Sequence, residues 1–216
     1  MKKLLLIFFC IPVIGLSQES NLGNWFMYLG NKKINSKWNI HNEVQYRNYN
    51  AIGDMEQLLL RTGIGYNLTE NNNNILLGYG FIQSENYISP ELKAGNSEHR
   101  IFQQFITRQS FSRFNFQHRY RFEQRFLEKD FKMRFRYFLS MNIALTNKTL
   151  KPKTFYLSAY NEIFVNDRGN LFDRNRVYGG IGYKFNEHIN TEIGYMNQIF
   201  YRGSRDQINI IGIINF

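Results

Sequence analysis

The chain has 216 residues, room for one barrel-sized domain with no need of a second. It carries 27 Lys and Arg against 17 Asp and Glu, a formal net charge of +10, and its one cysteine is Cys10. A mature chain beginning after residue 17 therefore excludes disulfides, thiolate nucleophiles and thiolate metal sites. The mildly polar mean hydropathy, despite 17% aromatic residues, suits a barrel whose inward polar residues dilute its outward apolar ones.

Residues 1–17 have the layout of a signal peptide: Lys2 and Lys3, the apolar run from Leu4 to Leu16, then the small Ser17 before Gln18. The apolar run is shorter than the roughly 20 residues that a spanning helix needs. Cys10 lacks the small-residue context of a lipoprotein signal. Cleavage removes Lys2 and Lys3 and takes the net charge from +10 to +8. Such a balance ordinarily raises nucleic acid as a partner, but export argues against it, and the cations are spread over strand faces instead of gathered in a patch or tail.

From residue 18 to 216 the sequence reads as one all-β unit, an antiparallel transmembrane up-and-down β-barrel. Residues 22–31, with Trp25, Phe26, Met27 and Tyr28, are a partial strand or plug if the barrel has ten strands; otherwise one long segment hides a twelfth. Trp38, Ile40, Val44 and Tyr46 then alternate with Asn39, His41, Glu43, Gln45 and Arg47, and Leu58, Leu60, Ile64 and Tyr66 alternate with Arg61, Gly63 and Gly65, Leu59 intruding. Ile75, Leu77, Tyr79 and Phe81 oppose Gly78 and Gly80. Residues 99–111 are ambiguous, because Arg100, Gln104 and Arg108 share a parity with Phe102 and Ile106.

Residues 113–126 give the clearest alternation. Phe114, Phe116, Tyr120, Phe122 and Phe126 fall on one parity, blurred by His118 and Gln124; Arg113, Arg119, Arg121, Glu123 and Arg125 fall on the other. Met133, Phe135, Tyr137 and Leu139 oppose Arg134 and Arg136, and three further alternating segments follow, on whose polar faces lie Glu162, Arg176 and Glu192. The last strand runs to Phe216. About eleven segments result, whereas single-chain bacterial barrels usually have an even number, so twelve strands are expected, with ten as the alternative. Short links are expected at 31–37, 69–74, 110–112, 147–152 and 186–188, and longer ones at 48–56, 86–97, 166–173 and 201–206, the short set facing the periplasm. Aromatics near the strand ends are expected to form interfacial girdles.

A hairpin around Glu128 sets Arg125 opposite Lys132, Glu123 opposite Arg134, and Arg121 opposite Arg136. One pair attracts and two repel, so the cations need carboxylates from across the lumen, with Glu43, Glu162 and Glu192 as candidates, or else water or a bound anion. The ionic wall comprises Arg113, Arg119, Arg121, Glu123, Arg125, Arg134, Arg136, Glu43, Arg47, Arg61, Glu162, Arg176 and Glu192. Gly63, Gly65, Gly78, Gly80, Gly180 and Gly182 share its parity, where absent side chains leave room for bulky groups.

The run Arg119-Tyr120-Arg121-Phe122-Glu123-Gln124-Arg125-Phe126 resembles a family of outer-membrane barrels from Gram-negative bacteria catalogued as domain of unknown function 2490. Similar elements are Glu98-His99-Arg100, Glu162-Ile163-Phe164, Asp173-Arg174-Asn175-Arg176 before Tyr178-Gly179-Gly180, and Gly194-Tyr195-Met196-Asn197-Gln198. The resemblance implies a β-barrel in the cell outer membrane and brings no catalytic residues. Phe216 resembles the C-terminal aromatic that barrel-assembly machinery recognises.

Three functions are open. The Arg and Glu ladders fill a narrow lumen as a structural core, or they form an anion-preferring pore or binding site for a small anionic solute. The third is a barrel enzyme, such as a hydrolase acting on envelope lipids. That needs a nucleophile, a His base and an orienting carboxylate in reach. His41 shares a face with Glu43, but His118 is on the apolar parity and His99 and His188 lie near links. No triad emerges, the dispersed His make no metal cluster, and no cofactor is expected. The expected partners are outer-membrane lipid, the assembly machinery and a small anion, the barrel itself being a monomer.

Overall fold

The computed structural model describes residues 22–70 and 72–216; the expected signal peptide at 1–17 lies outside them. Eleven strands follow one another without a helix: β1 (Leu22–Lys33), β2 (Trp38–Asn48), β3 (Met55–Asn67), β4 (Asn73–Ser89), β5 (Leu92–Phe111), β6 (Phe114–Leu127), β7 (Asp130–Ala144), β8 (Thr154–Asn166), β9 (Phe172–Lys184), β10 (Ile189–Phe200) and β11 (Ser204–Asn215). Each pairs with its sequence neighbours, and β1 against β11 closes the barrel.

The strand number is therefore eleven, not twelve or ten. An odd count brings first and last strands together in the same direction, and β1 and β11 are indeed parallel, from Leu22 opposite Asp206 to Asn31 opposite Asn215. The chain enters the barrel at one end and leaves it at the other. Residues 22–31 form neither a plug nor a partial strand; they pair along their length with β2 as well. Their alternation is hidden because inward Trp25, Met27 and Leu29 are as apolar as outward Phe26 and Tyr28. In β5 the same mixing occurs, Arg100, Phe102, Gln104 and Ile106 all being buried in the lumen.

The expected short and long links are not kept either. Residues 86–97 are no loop: β4 and β5 continue through them as a paired hairpin that turns at 90–91. The expected short link at 147–152 belongs to the connection 145–153, the longest in the barrel.

Outward positions carry the apolar parity, with Leu77 54%, Phe135 54% and Ile193 58% exposed. Among the described residues, outward positions through the middle of the strands hold no Asp, Glu, Lys or Arg. The outward polar groups pair across strands: His118 with the Tyr137 hydroxyl (2.9 Å), Gln103 with Gln124 (3.3 Å), Asn161 with Asn175 (2.7 Å) and Thr62 with Asn42 (3.1 Å). His118 and Gln124, which blur the sequence pattern, each bond a polar group on an adjacent strand instead of facing out unpaired. Aromatic rings cluster at both ends: Trp38 with Tyr66 (5.0 Å) and Phe155 with Tyr183 (4.5 Å) at one, Phe122 with Phe135 (4.7 Å) and Phe126 with Phe131 (5.1 Å) toward the other.

Two inward glycines show what the bare positions serve. A Cβ on Gly78 would lie 2.2 Å from Phe102 Cζ, and one on Gly182 2.2 Å from Tyr156 Cζ. The rings occupy the space that the missing side chains leave.

Beyond the apolar band, a polar clasp ties the β4–β5 hairpin to the β2–β3 link. Lys93 forms an ion pair with Asp54 and donates to the Met55 carbonyl (2.8 Å). The Tyr87 hydroxyl donates to Asp54 (2.9 Å), and that of Tyr49 to the Glu85 carbonyl (3.0 Å). Burial alone would raise the Asp54 carboxyl, but hydrogen bonds from Lys93 and Tyr87 outweigh it and hold Asp54 below its ordinary value. A depressed carboxyl contributes stability that is present above its unfolded value and lost as pH falls through the folded one. Hydrogen exchange, corrected for intrinsic rates, should therefore show residues 85–97 protected at pH 6 and loosened only below about pH 4. Asp54→Asn should loosen them at pH 6; unchanged protection in that variant would remove the clasp.

Candidate binding cavity in the lumen

At the end where the hairpin projects, the lumen is filled. Glu123, fully buried on β6, receives Arg134 Nη2 from its cross-strand partner on β7 (2.7 Å) and Arg136 Nη1 (2.6 Å). Arg136 reaches on to Glu162 Oε1 (2.7 Å), which also takes Arg119 Nη2 (2.7 Å). Nearer the end, Glu98 takes both Arg100 and Arg125 (2.6 Å each), and Asp173 takes Arg134 Nη1 (2.9 Å). The Phe164 ring lies under the guanidinium carbons of Arg136 (4.4 Å), Arg176 (4.6 Å) and Arg134 (5.2 Å), so its π face faces three cations. Leu59, Ile82, Phe102 and Gln207, all buried, pack the lumen beside these ion pairs.

The other end is open. A cavity of about 790 Å³ extends inward from a rim that includes Lys32, Glu70, Asn72, Leu150 and Phe216 to a floor formed by this packing. The floor is rich in guanidinium groups: Arg47, Arg61, Arg119, Arg121, Arg136 and Arg176 line it, against the carboxylates Glu43 and Glu162. Arg61 Nη1 pairs with Glu43 (2.8 Å), while Arg61 Nε is buried with no acceptor. Arg121, 3% exposed, gives Nε (2.9 Å) and Nη2 (2.6 Å) to the neutral Gln104 Oε1. Its Nη1 has no hydrogen-bond acceptor, the nearest carboxylate oxygen being on Glu123 at 3.6 Å. Arg47 likewise donates only to amides, Gln45 and, at 2.6 Å, Gln57. Its guanidinium lies 3.7 Å from the Trp25 ring centroid, and that of Arg176 at 4.8 Å from the same ring.

Six guanidinium groups line the floor with two carboxylates; behind them Glu123 takes Arg136 of the six (2.6 Å) together with Arg134. Buried like charges are tolerated only when something neutralises them. Glutamine amides and aromatic faces orient these groups and satisfy some donors, but they carry no negative charge. Arg61 and Arg121 thus line the cavity while each keeps one buried N–H without an acceptor; guanidinium is the side-chain group that matches carboxylate and phosphate oxygens.

The hairpin register expected from the sequence is present: Arg125 opposite Lys132, Glu123 opposite Arg134, Arg121 opposite Arg136. Of the expected counter-carboxylates, Glu43 and Glu162 pair with arginines, but Glu192 accepts from the Tyr156 hydroxyl (2.9 Å) and lies up the wall. Arg113 stands off the lumen wall, in the β5–β6 turn, where it donates to the carbonyls of Ala144, Leu145 and Asn147. Glu123, Arg125 and Arg134 belong to the filled end, not the cavity. Trp25, Gln45, Gln104, Glu98 and Arg100 are the functional neighbours that alternation alone missed. Trp25 sat in a segment apolar on both faces, and the glutamines have no charge to mark them. His41 bonds Asn31 (2.9 Å) and lies 3.5 Å from Glu43, with no hydroxyl among its partners.

Residues 22–209 match the model of a family described as "Protein of unknown function (DUF2490)". The chain belongs to that family. Neither a curated protein nor a solved structure matches it. The DUF2490 description names no activity, so the reading of the site rests on its geometry.

Because Glu123 neutralises two arginines in a fully buried position, Glu123→Gln should cost about 3 to 5 kcal/mol in urea unfolding. Arg113→Ala, which removes bonds only at an exposed turn, should cost about 1 kcal/mol or less. Equal losses in the two variants would contradict the ionic pivot.

Proposed function

We propose that this is a monomeric outer-membrane β-barrel whose lumen is an anion-binding cup, closed at one end, and not a through-pore. The observation that carries the reading is the floor of six guanidinium groups over two carboxylates, with Arg121 Nη1 and Arg61 Nε left without acceptors. Membrane placement is supported by the uncharged outward band, the mutual pairing of its polar groups and the aromatic clusters at both ends. These are what hydrocarbon demands of a barrel surface. The apolar segment at 1–17 agrees with export. The filled layer at Glu123 speaks for a cup: a conducting barrel needs a continuous polar path, and Phe102, Phe164 and Leu59, all buried, weigh against one.

Inorganic phosphate should raise the urea midpoint of the folded barrel, and Arg121→Gln together with Arg47→Gln should weaken that binding at least about tenfold, the worth of one charged hydrogen bond. Planar bilayers should show no steady current. A persistent anion-selective conductance, or phosphate binding indifferent to the two substitutions, would overturn the cup.

Orientation is taken from the β4–β5 hairpin, whose paired strands project furthest beyond the apolar band and are placed outside, with the mouth and its 145–153 connection toward the periplasm. Because the chain beyond residue 17 lacks cysteine, Ala51→Cys should react with an impermeant maleimide on intact cells. Ser36→Cys, at the mouth, should react only after the outer membrane is permeabilised. The reverse pattern would invert the barrel.

A further inference from the structure

Above the guanidinium floor the cavity wall changes character. Leu29, Leu76, Ile106, Ile211 and Ile213, from β1, β4, β5 and β11, face the cavity as an aliphatic belt along one side, joined to the floor by Met27 and Trp25, while Ser140, Ser158 and Glu192 line the other. Above the belt, the rim is amide-rich, with the charged Lys32, Lys33, Glu70 and Arg108 set among the amides. Asn74 donates to Asn39 (2.7 Å) and Asn67 (2.8 Å), Asn31 to Asn215 (3.4 Å), and the rim cation Arg108 is held by Gln117 (2.9 Å).

A small hydrophilic anion uses the floor and leaves this belt against water. Aliphatic surface lining a cavity of about 790 Å³ gains free energy only when apolar atoms cover it. Floor and belt together are complementary to one kind of molecule, anionic at one end and hydrocarbon behind it. Resting on the anion-cup reading, we infer that the lumen binds a single-chain amphiphilic anion, an alkyl carboxylate or alkyl phosphate. Its head lies on Arg47, Arg61 and Arg121, its chain runs along Leu29, Leu76 and Ile213, and its tail end points to the mouth. The Trp25 indole, stacked on Arg47, marks the junction of head and chain.

Trp25 also supplies the test, since Trp38 is the chain's only other tryptophan. The full chain bearing Trp38→Phe, folded into phosphatidylcholine nanodiscs, is titrated with 2-bromodecanoate, whose bromine sits beside the head group and quenches nearby indole. It is then challenged with acetate, hexanoate, decanoate, decyl phosphate, decanol and inorganic phosphate. Competition should strengthen from acetate to decanoate by up to about fourfold per methylene, and decanol should compete at least tenfold more weakly than decanoate. Whichever of decanoate and decyl phosphate competes better identifies the head group, and both outcomes support the inference. Leu76→Asn and Ile213→Asn should weaken decanoate at least tenfold while leaving phosphate binding intact, which also shows that the variants are folded. Phosphate binding with no chain-length dependence, or decanol equal to decanoate, would overturn the amphiphile and leave the anion cup standing. Loss of both phosphate and decanoate binding in the parent chain would sink the two together.

Discussion

Closing alternating strands on themselves sends every inward side chain into one narrow lumen, and the guanidinium groups gathered there must be neutralised inside it. That requirement organises the molecule. At the filled end it is met by an unbroken chain of contacts, Glu98 to Arg100 and Arg125, Glu123 to Arg134 and Arg136, Glu162 to Arg136 and Arg119. Arg136 joins the two central carboxylates and is the link between strands β6, β7 and β8. Like charges that face each other across β6 and β7 repel as neighbours, yet coexist because each reaches a carboxylate or a glutamine beyond its own pair.

Toward the open end the same requirement is left incomplete. Arg47 and Arg121 rest on amide oxygens and aromatic faces, which orient a guanidinium without cancelling its charge. A purely structural lumen has no use for this. The core of a barrel is served by balanced pairs, and the filled end demonstrates that the chain builds them where packing is the purpose. The excess at the floor, opening on a cavity and bounded by aliphatic wall, is the feature on which the proposal of an anion-binding lumen rests.

The two-residue rhythm made the barrel legible because outward and inward demands differ in kind: no charge through the middle of the outward face, many charges on the inward one. Residues 113–126 announced both faces at once, and the cross-strand register of β6 and β7 followed from the turn near Glu128. The rhythm failed where the lumen is itself apolar. Trp25, Met27 and Leu29 made β1 look featureless, and Phe102 and Ile106 beside Arg100 and Gln104 obscured β5. The sequence itself read as about eleven segments, and the expectation of twelve or ten came from the even strand number usual in single-chain bacterial barrels. Length of connection was also illegible, because residues 86–97 are polar enough for a loop yet extend β4 and β5 through pairing and the Asp54, Lys93 and Tyr87 clasp. The candidate site was legible as a set of arginines. Which carboxylate serves which arginine depends on reach across the lumen, as with Glu192, which turns to Tyr156 instead of a cation.

Selenate soaked into crystals of the folded barrel, located by anomalous diffraction, tests the under-neutralised floor most directly. The account predicts an anomalous peak within hydrogen-bond distance of Arg121 Nη1 and Arg61 Nε, at the bottom of the cavity. Well-diffracting crystals with selenate only on the exterior and an empty floor would contradict it.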